Sequence, residues 1–324
     1  MKTSITVTMM VLVASSALYL AFNAGVMWLA LFAGLGLLYG SASYLVAALR
    51  LHYLAAVSPH ASLAAATLAL AITGGPLLLP LTLVIGGGAI AAAAAASRGF
   101  DSPRETAASV LVAASVVVAL LAMEAAAGRG VAVPVSALVA GDPLLATGEH
   151  AFASLVLGAC AALFTYTTAR LHAYIGADAE DAVMAWGSLR VRLLSWIGIA
   201  VLAIASAGML WITGFILQHV LLLVPALAAG LSNSAKEGVS ISLTLALASS
   251  LSGAALAFLL DMPPSGLIGL SGLILLLMQW FYKRVGNGFN KGFEWGVRKI
   301  ALLRLQKLVC PRALRVYDLK DKSP

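Results

Sequence analysis

Long apolar runs, separated by short polar breaks, recur along almost the whole chain. Bounded by charges and by glycine or proline, they give ten windows, roughly 4–22, 26–49, 58–73, 77–97, 106–125, 151–171, 192–209, 211–230, 239–260 and 265–282. A helix needs about 20 mainly apolar residues to cross a bilayer, and most of these windows supply that length. Membrane barrel strands would instead read as short alternating segments, a pattern that these windows do not follow. Backbone facing lipid must satisfy its own hydrogen bonds, so helices are the solution for such runs. The expected fold is an all-α polytopic membrane protein with nine or ten transmembrane helices.

Composition agrees with that medium. The 324 residues are 61% hydrophobic and 10% charged, against about 25% charged in a soluble domain, which excludes a soluble enzyme. The net charge of +7 is not spread along the chain: residues 283–324 hold 11 Lys/Arg against 3 Asp/Glu, and the rest holds 9 against 10. A nucleic-acid partner is therefore not implied. Lys and Arg concentrate in cytoplasmic loops, and with the N-terminus inside, 19 of the 20 fall on that side, Arg129 alone lying outside. The C-terminus is expected in the cytoplasm.

The chain divides into residues 1–25, an additional first helix or signal-anchor, 26–283, the transmembrane domain, and 284–324, a basic tail. The first segment has a second reading as a cleavable signal peptide, with small residues at Ala21–Ala24. In the tail Phe289, Phe293, Val297 and Ile300 recur at helical spacing beside Lys291, Arg298 and Lys299. Two readings stay open there: an amphipathic helix on the inner membrane surface, and packing against a partner's cytoplasmic domain. Cys160 and Cys310 lie in unlike settings and imply no disulfide framework.

Two connections are long. Residues 126–150 contain Gly128, Gly130, Pro134, Gly141 and Pro143 and read as a broken segment near the outer surface. Residues 172–190 place Asp178, Glu180 and Asp181 ahead of a short run closed by Gly187, the signals of a capped helix.

Several stretches then carry a resemblance: "LAAVSPHASLAAATLALA", "FDSPRETAASVLVAASVVVALL", "GDPLLATGEH", "DAEDAVMAWGSLRVRLL", "TGFILQHVLLLVPALAAGLS", with Gly214 and Pro225 eleven residues apart, and "SLSGAALAFLLDMPPSGLIGLSGLILLL". In order and spacing they resemble the membrane permease of the ABC importers that take up zinc, manganese or iron, over about residues 26–283. The resemblance implies an ABC importer permease fold in a prokaryotic plasma membrane. It also implies a homodimer of permeases, a cytoplasmic ATPase and an extracytoplasmic solute-binding protein. No G-x-x-x-x-G-K-[ST] phosphate loop occurs in this chain, so ATP belongs to the partner, no cofactor is expected here, and the chain is a transporter subunit, not an enzyme.

The resemblance implies an Asp paired with a His four residues on, both on one helical face; here His60 is present and Ala56 stands for the acid. His60 reads either as a route residue or as a helix-capping residue after Pro59. Gln218 and His219 sit inside an apolar span, where polar side chains are costly, and read either as pathway lining or as interhelical hydrogen bonds. Gly214 and Pro225 would shape their helix. Asp178, Glu180, Asp181 and Gly187 would form the ATPase-coupling loop. Asp142, Glu149 and His150 would face the binding protein. No confident metal-ligand set stands out. A permease for a metal chelate, siderophore or cobalamin is the sister possibility, and a secondary transporter, which would show inverted halves, the alternative from another class.

Overall fold

The computed structural model describes residues 2–75, 78–99, 104–141, 143 and 146–282. Asp142 and the basic tail from Lys283 lie outside them. The chain divides into two units, Lys2–Leu277 and the segment from Met278. The helices of the larger unit are α1 (Lys2–Tyr19, continued by a π-helical turn Leu20–Ala24), α2 (Val26–Ala48), α3 (His52–Thr73), α4 (Leu78–Gly99), α5 (Arg104–Gly128) and α6 (Val135–Ala140). Then come α7 (Gly148–Ala177), α8 (Ala179–Trp186), α9 (Ser188–Ala203, continued by a π-helical turn Ile204–Gly208), α10 (Leu210–Gly230) and α11 (Ala235–Leu260). The last span, α12, is Pro264–Tyr282 and runs across the unit boundary.

All ten apolar windows are helices long and apolar enough to cross a membrane, and no strand occurs among the described residues. The third window begins at His52, not near 58, because Pro59 lies inside the helix. A proline removes one backbone donor and frees the carbonyl four residues back. That carbonyl, Ala55 O, receives the Ser58 hydroxyl at 3.4 Å, so the helix runs through.

At the centre stands α2, apolar on every face and buried along most of its length, as expected of a helix with no polar stripe. Its sequence GLGLLYGSASY lets neighbours approach to backbone contact. A methyl on Gly34 would strike the backbone of Ser154 and Leu155 in α7, one on Gly36 would lie 2.8 Å from Leu247 Cα, and one on Gly40 2.9 Å from Leu243 Cα, both in α11. Small residues drive helix association in lipid in this way. Hydroxyls add crosslinks: Ser242 donates to Gly40 O at 2.7 Å, Ser250 to Phe32 O at 2.7 Å, and Tyr44 to Ala169 O at 2.8 Å.

These pairings fix directions. Along α2, residues 32, 40 and 44 meet 250, 242 and 238 of α11, so the two helices are antiparallel. Leu31, Tyr44 and Ala48 meet Ser154, Ala169 and Gly176 of α7, so those two run parallel. Both relations hold if every apolar helix between them reverses the chain, as the charge pattern requires.

Pro225 repeats the theme of Pro59. It frees Leu221 O within α10, and Ser43 of α2 donates to that oxygen at 2.9 Å. Ser/Thr hydroxyls commonly satisfy carbonyls freed by proline in membrane helices.

Two outcomes are expected in thermal unfolding of the detergent-solubilised protein. Gly40→Leu should destabilise by about 1–3 kcal/mol or more, since close-packed interfaces resist added methylenes. Ser43→Ala should cost about 1 kcal/mol by orphaning Leu221 O, and Pro225→Ala in the same chain should restore most of that loss by returning the missing N–H.

Candidate functional site

The turn between α9 and α10 sits level with the middle of its neighbours. Tyr39, near the middle of α2, donates its hydroxyl to Ala205 O at 2.7 Å and lies 3.0 Å from Thr213 Oγ1. On α3, Ser58 Oγ accepts from the Ser206 hydroxyl at 2.9 Å, and Ala66 packs with Leu210. On α4, a methyl at Gly86 would lie 3.0 Å from the Ala207 side chain. Three long helices thus place residues 205–214 about halfway along their own lengths.

The carbonyls of residues 205, 206 and 209 at this turn are taken up locally, whereas Trp211 Nε1 and Gln218 Oε1 are buried without a hydrogen-bond partner among the described residues. A helix end leaves carbonyls without intrahelical partners; Tyr39 takes Ala205 O, and Gln218 Nε2 donates to Ser206 O at 2.6 Å. Thr213 donates its hydroxyl to Met209 O at 2.8 Å. At Gly214 the backbone breaks from the helix with φ 68° and ψ 165°, a region that disfavours residues with a Cβ.

A second break meets it. Between α5 and α7 the chain turns inward, so that Leu138 of α6 packs with Leu210 and Ala66. The backbone of Gly141, at φ 76°, abuts Thr213 and Gly214 so closely that a side chain on either glycine would fall on the other's backbone. Residues 126–150 were expected to lie near the outer surface. Arg129, which donates to Ala71 O at 2.7 Å near the end of α3, fits that, but residues 131–141 dip inward, because Leu138 and Val133 find their apolar partners there. An open cleft of about 580 Å³ remains beside this loop, lined by Leu120, Met123, Glu124, Gly130, Val133 and Val135. Non-helical backbone at this depth is tolerated only where protein buries it or where it lines a wet cavity.

His60 and His219 converge beside the turn. Their ring centres are 5.2 Å apart, and the Phe215 ring lies 4.7 Å from each, edge to face. Both rings are half-buried. His60 Nδ1 lies 3.2 Å from Ala56 O and His219 Nδ1 2.9 Å from Phe215 O. A carbonyl can only accept, so each Nδ1 carries a hydrogen and donates it, which leaves Nε2 as the ring nitrogen not engaged by the backbone. His60 does not cap a helix, since it lies well inside α3. Where the acid of the Asp–His pair would stand, Ala56 offers only the carbonyl that orients His60.

The three expected route residues therefore separate. His60 and His219 face each other, whereas Gln218 is fully buried and turned toward Ser206. Tyr39, Ser206, Thr213 and Phe215 were not foreseen from the sequence. The one available signal was the spacing of Phe215 and His219, which puts both on one helical face.

Elsewhere the expected residues serve helix ends. Asp178 caps α8, accepting from the N–H groups of Glu180 and Asp181 at 3.0 Å each, and these two acids occupy the first turn. Gly187 closes α8 at φ 83°, donating to Val183 O at 2.8 Å. Beneath α8, Ala182 packs with Ile175, Val191 and Leu49. Glu149 is in the first turn of α7, and His150 completes a capping box there, its Nδ1 accepting from Thr147 N–H at 3.1 Å. Among the described residues no three His, Cys, Asp or Glu come together as a metal-binding group.

The fold is shared by solved structures. A chain of PsaBC from Streptococcus pneumoniae, solved in complex with Fab, is 18% identical with a TM-score of 0.65, the match covering 82% of this chain and 95% of that one. An inward-facing transporter described as metal-chelate type is 17% identical with a TM-score of 0.61, over 87% of this chain and 99% of the other. No curated protein matches the sequence. The description "ABC 3 transport family" matches residues 21–283, which take in every element of the site, from Tyr39 on α2 to His219 on α10. The chain belongs to the ABC 3 transport family.

Proposed function

We propose that this chain is the membrane subunit of an ATP-driven importer whose cargo is a divalent metal ion such as zinc, manganese or iron, and that the ion passes the His60–His219 pair. The convergence of these two rings beside a pair of backbone breaks carries the reading. Intramembrane ionisable residues usually mark a route, and a weak, exchangeable site suits a membrane part that must release what a binding protein captures.

The working unit on this reading holds two copies of the chain, two ATPases and an extracytoplasmic solute-binding protein. The ATPase docks on α8, whose Asp178 and Gly187 fix both ends while Met184 projects 78% exposed. Asp142, Glu149 and His150 meet the binding protein on the other side, and the C-terminus lies in the cytoplasm. Membership of the ABC 3 transport family and the absence of a phosphate loop in this sequence support a separate ATPase over ion-coupled secondary transport.

Proteoliposomes test this. Permease with its ATPase and binding protein should take up metal when ATP is supplied, whereas permease alone under a proton or sodium gradient should not; uptake in the second case would refute the proposal. Transport of a metal chelate but not the free ion would reassign the cargo. His60→Ala and His219→Ala should each lower metal uptake by about tenfold or more, since losing even an outer-shell partner of a metal ligand costs that much. Gln218→Leu should instead lower stability by about 1–3 kcal/mol, because Ser206 O is left unpaired. A cysteine at Asn233, between α10 and α11, should label only from the cytoplasmic side.

A further inference from the structure

We propose that His60 and His219 form a nitrogen-only cation site that selects borderline metals, Zn²⁺, Co²⁺ and Ni²⁺, over Mn²⁺, Mg²⁺ and Ca²⁺. The inference rests on the importer reading for its biological use, and on the ring geometry for its chemistry.

Three observations support it. Two imidazoles sharing one tetrahedral ion through nitrogens about 2.0–2.1 Å away hold their ring centres about 5 Å apart, and these centres are 5.2 Å apart. Each Nδ1–H donates to a backbone carbonyl of its own helix, Ala56 O for His60 and Phe215 O for His219. That is the outer-shell bond that fixes a metal-binding histidine and leaves Nε2 free to coordinate. Phe215 packs edge to face against both rings and restrains them.

The donor set then decides selectivity. Imidazole suits zinc, copper, iron and nickel, whereas manganese, magnesium and calcium prefer carboxylate and carbonyl oxygens. Ala56, on the same face as His60, has no side-chain donor, and no third His, Cys, Asp or Glu joins the pair among the described residues. Two protein ligands leave the remaining positions to water, which keeps the site weak and exchangeable.

The test uses the untagged full-length protein in detergent and Co²⁺, whose visible absorption intensifies on tetrahedral nitrogen coordination. Wild type should show the band, Zn²⁺ at the same concentration as the Co²⁺ should strongly reduce it, and a large excess of Mn²⁺ or Mg²⁺ should leave it. His60→Gln and His219→Gln should each remove the band and weaken Zn²⁺ binding by about tenfold or more, while His150→Gln, in the capping box of α7, should change neither. Melting temperatures check folding, and if one variant unfolds, the other, on a different helix, decides. His219→Asp should narrow the gap between Zn²⁺ and Mn²⁺. A band that survives both glutamine variants, or that Mn²⁺ removes as readily as Zn²⁺, overturns the site. Uptake separates the two readings: the band without ATP-driven uptake refutes the importer and leaves the site, whereas a band that survives both variants together with normal ATP-driven uptake refutes the site and leaves the importer.

Discussion

Inside hydrocarbon a backbone carbonyl that loses its helical partner has no water to turn to, and each such group costs several kcal/mol if left alone. This chain interrupts its helical hydrogen bonding at Pro59, Pro225 and the turn after Gly208. At each place a hydroxyl or amide side chain takes the freed oxygen. Ser58 takes Ala55 O, Ser43 takes Leu221 O, Tyr39 takes Ala205 O and Gln218 takes Ser206 O. Two of those four donors belong to α2, so the central helix both packs its neighbours and satisfies their irregularities.

That arrangement explains how a mid-level turn can exist. The close contacts of Gly34, Gly36 and Gly40 bring α7 and α11 against α2, and the helix is left with Tyr39 and Ser43 to receive α9 and α10. With the carbonyls of residues 205, 206 and 221 satisfied, the backbone can depart from helix at Gly214, where Gly141 arrives from the connection between α5 and α7. His219 lies one turn beyond the break and so faces His60 beside irregular backbone, a setting where an ion could shed part of its water. The same constraint turns the buried Gln218 toward the carbonyl of Ser206, although it neighbours His219 in sequence.

Much of this was legible beforehand. Nine or ten transmembrane helices were expected from window length and charge, and ten helices of spanning length occur among the described residues; their expected alternation rests on the positions of Lys and Arg. The capped helix at Asp178–Gly187 was legible because capping is local: a side chain bonds a backbone group two or three residues away. The family resemblance drew on order and spacing over about residues 26–283, close to the 21–283 matched by the ABC 3 transport family. What could not be read was pairing between distant helices. Ser43 and Leu221 are separated by 178 residues, and nothing local distinguishes a serine that rescues a proline on another helix from one that bonds its own.

The sequence alone therefore determined the medium, nine or ten spans, their order and the capped ends of the helix between Asp178 and Gly187, because hydrophobic run length, charge bias and capping act within a few residues or through bulk partition. Only the tertiary structure decided that residues 131–141 turn inward, that Gln218 braces a turn while His219 joins His60, and that Pro59 lies within a helix instead of starting one. Those outcomes depend on which side chains cross the gaps between helices, and that is set by close packing around α2, not by any local pattern.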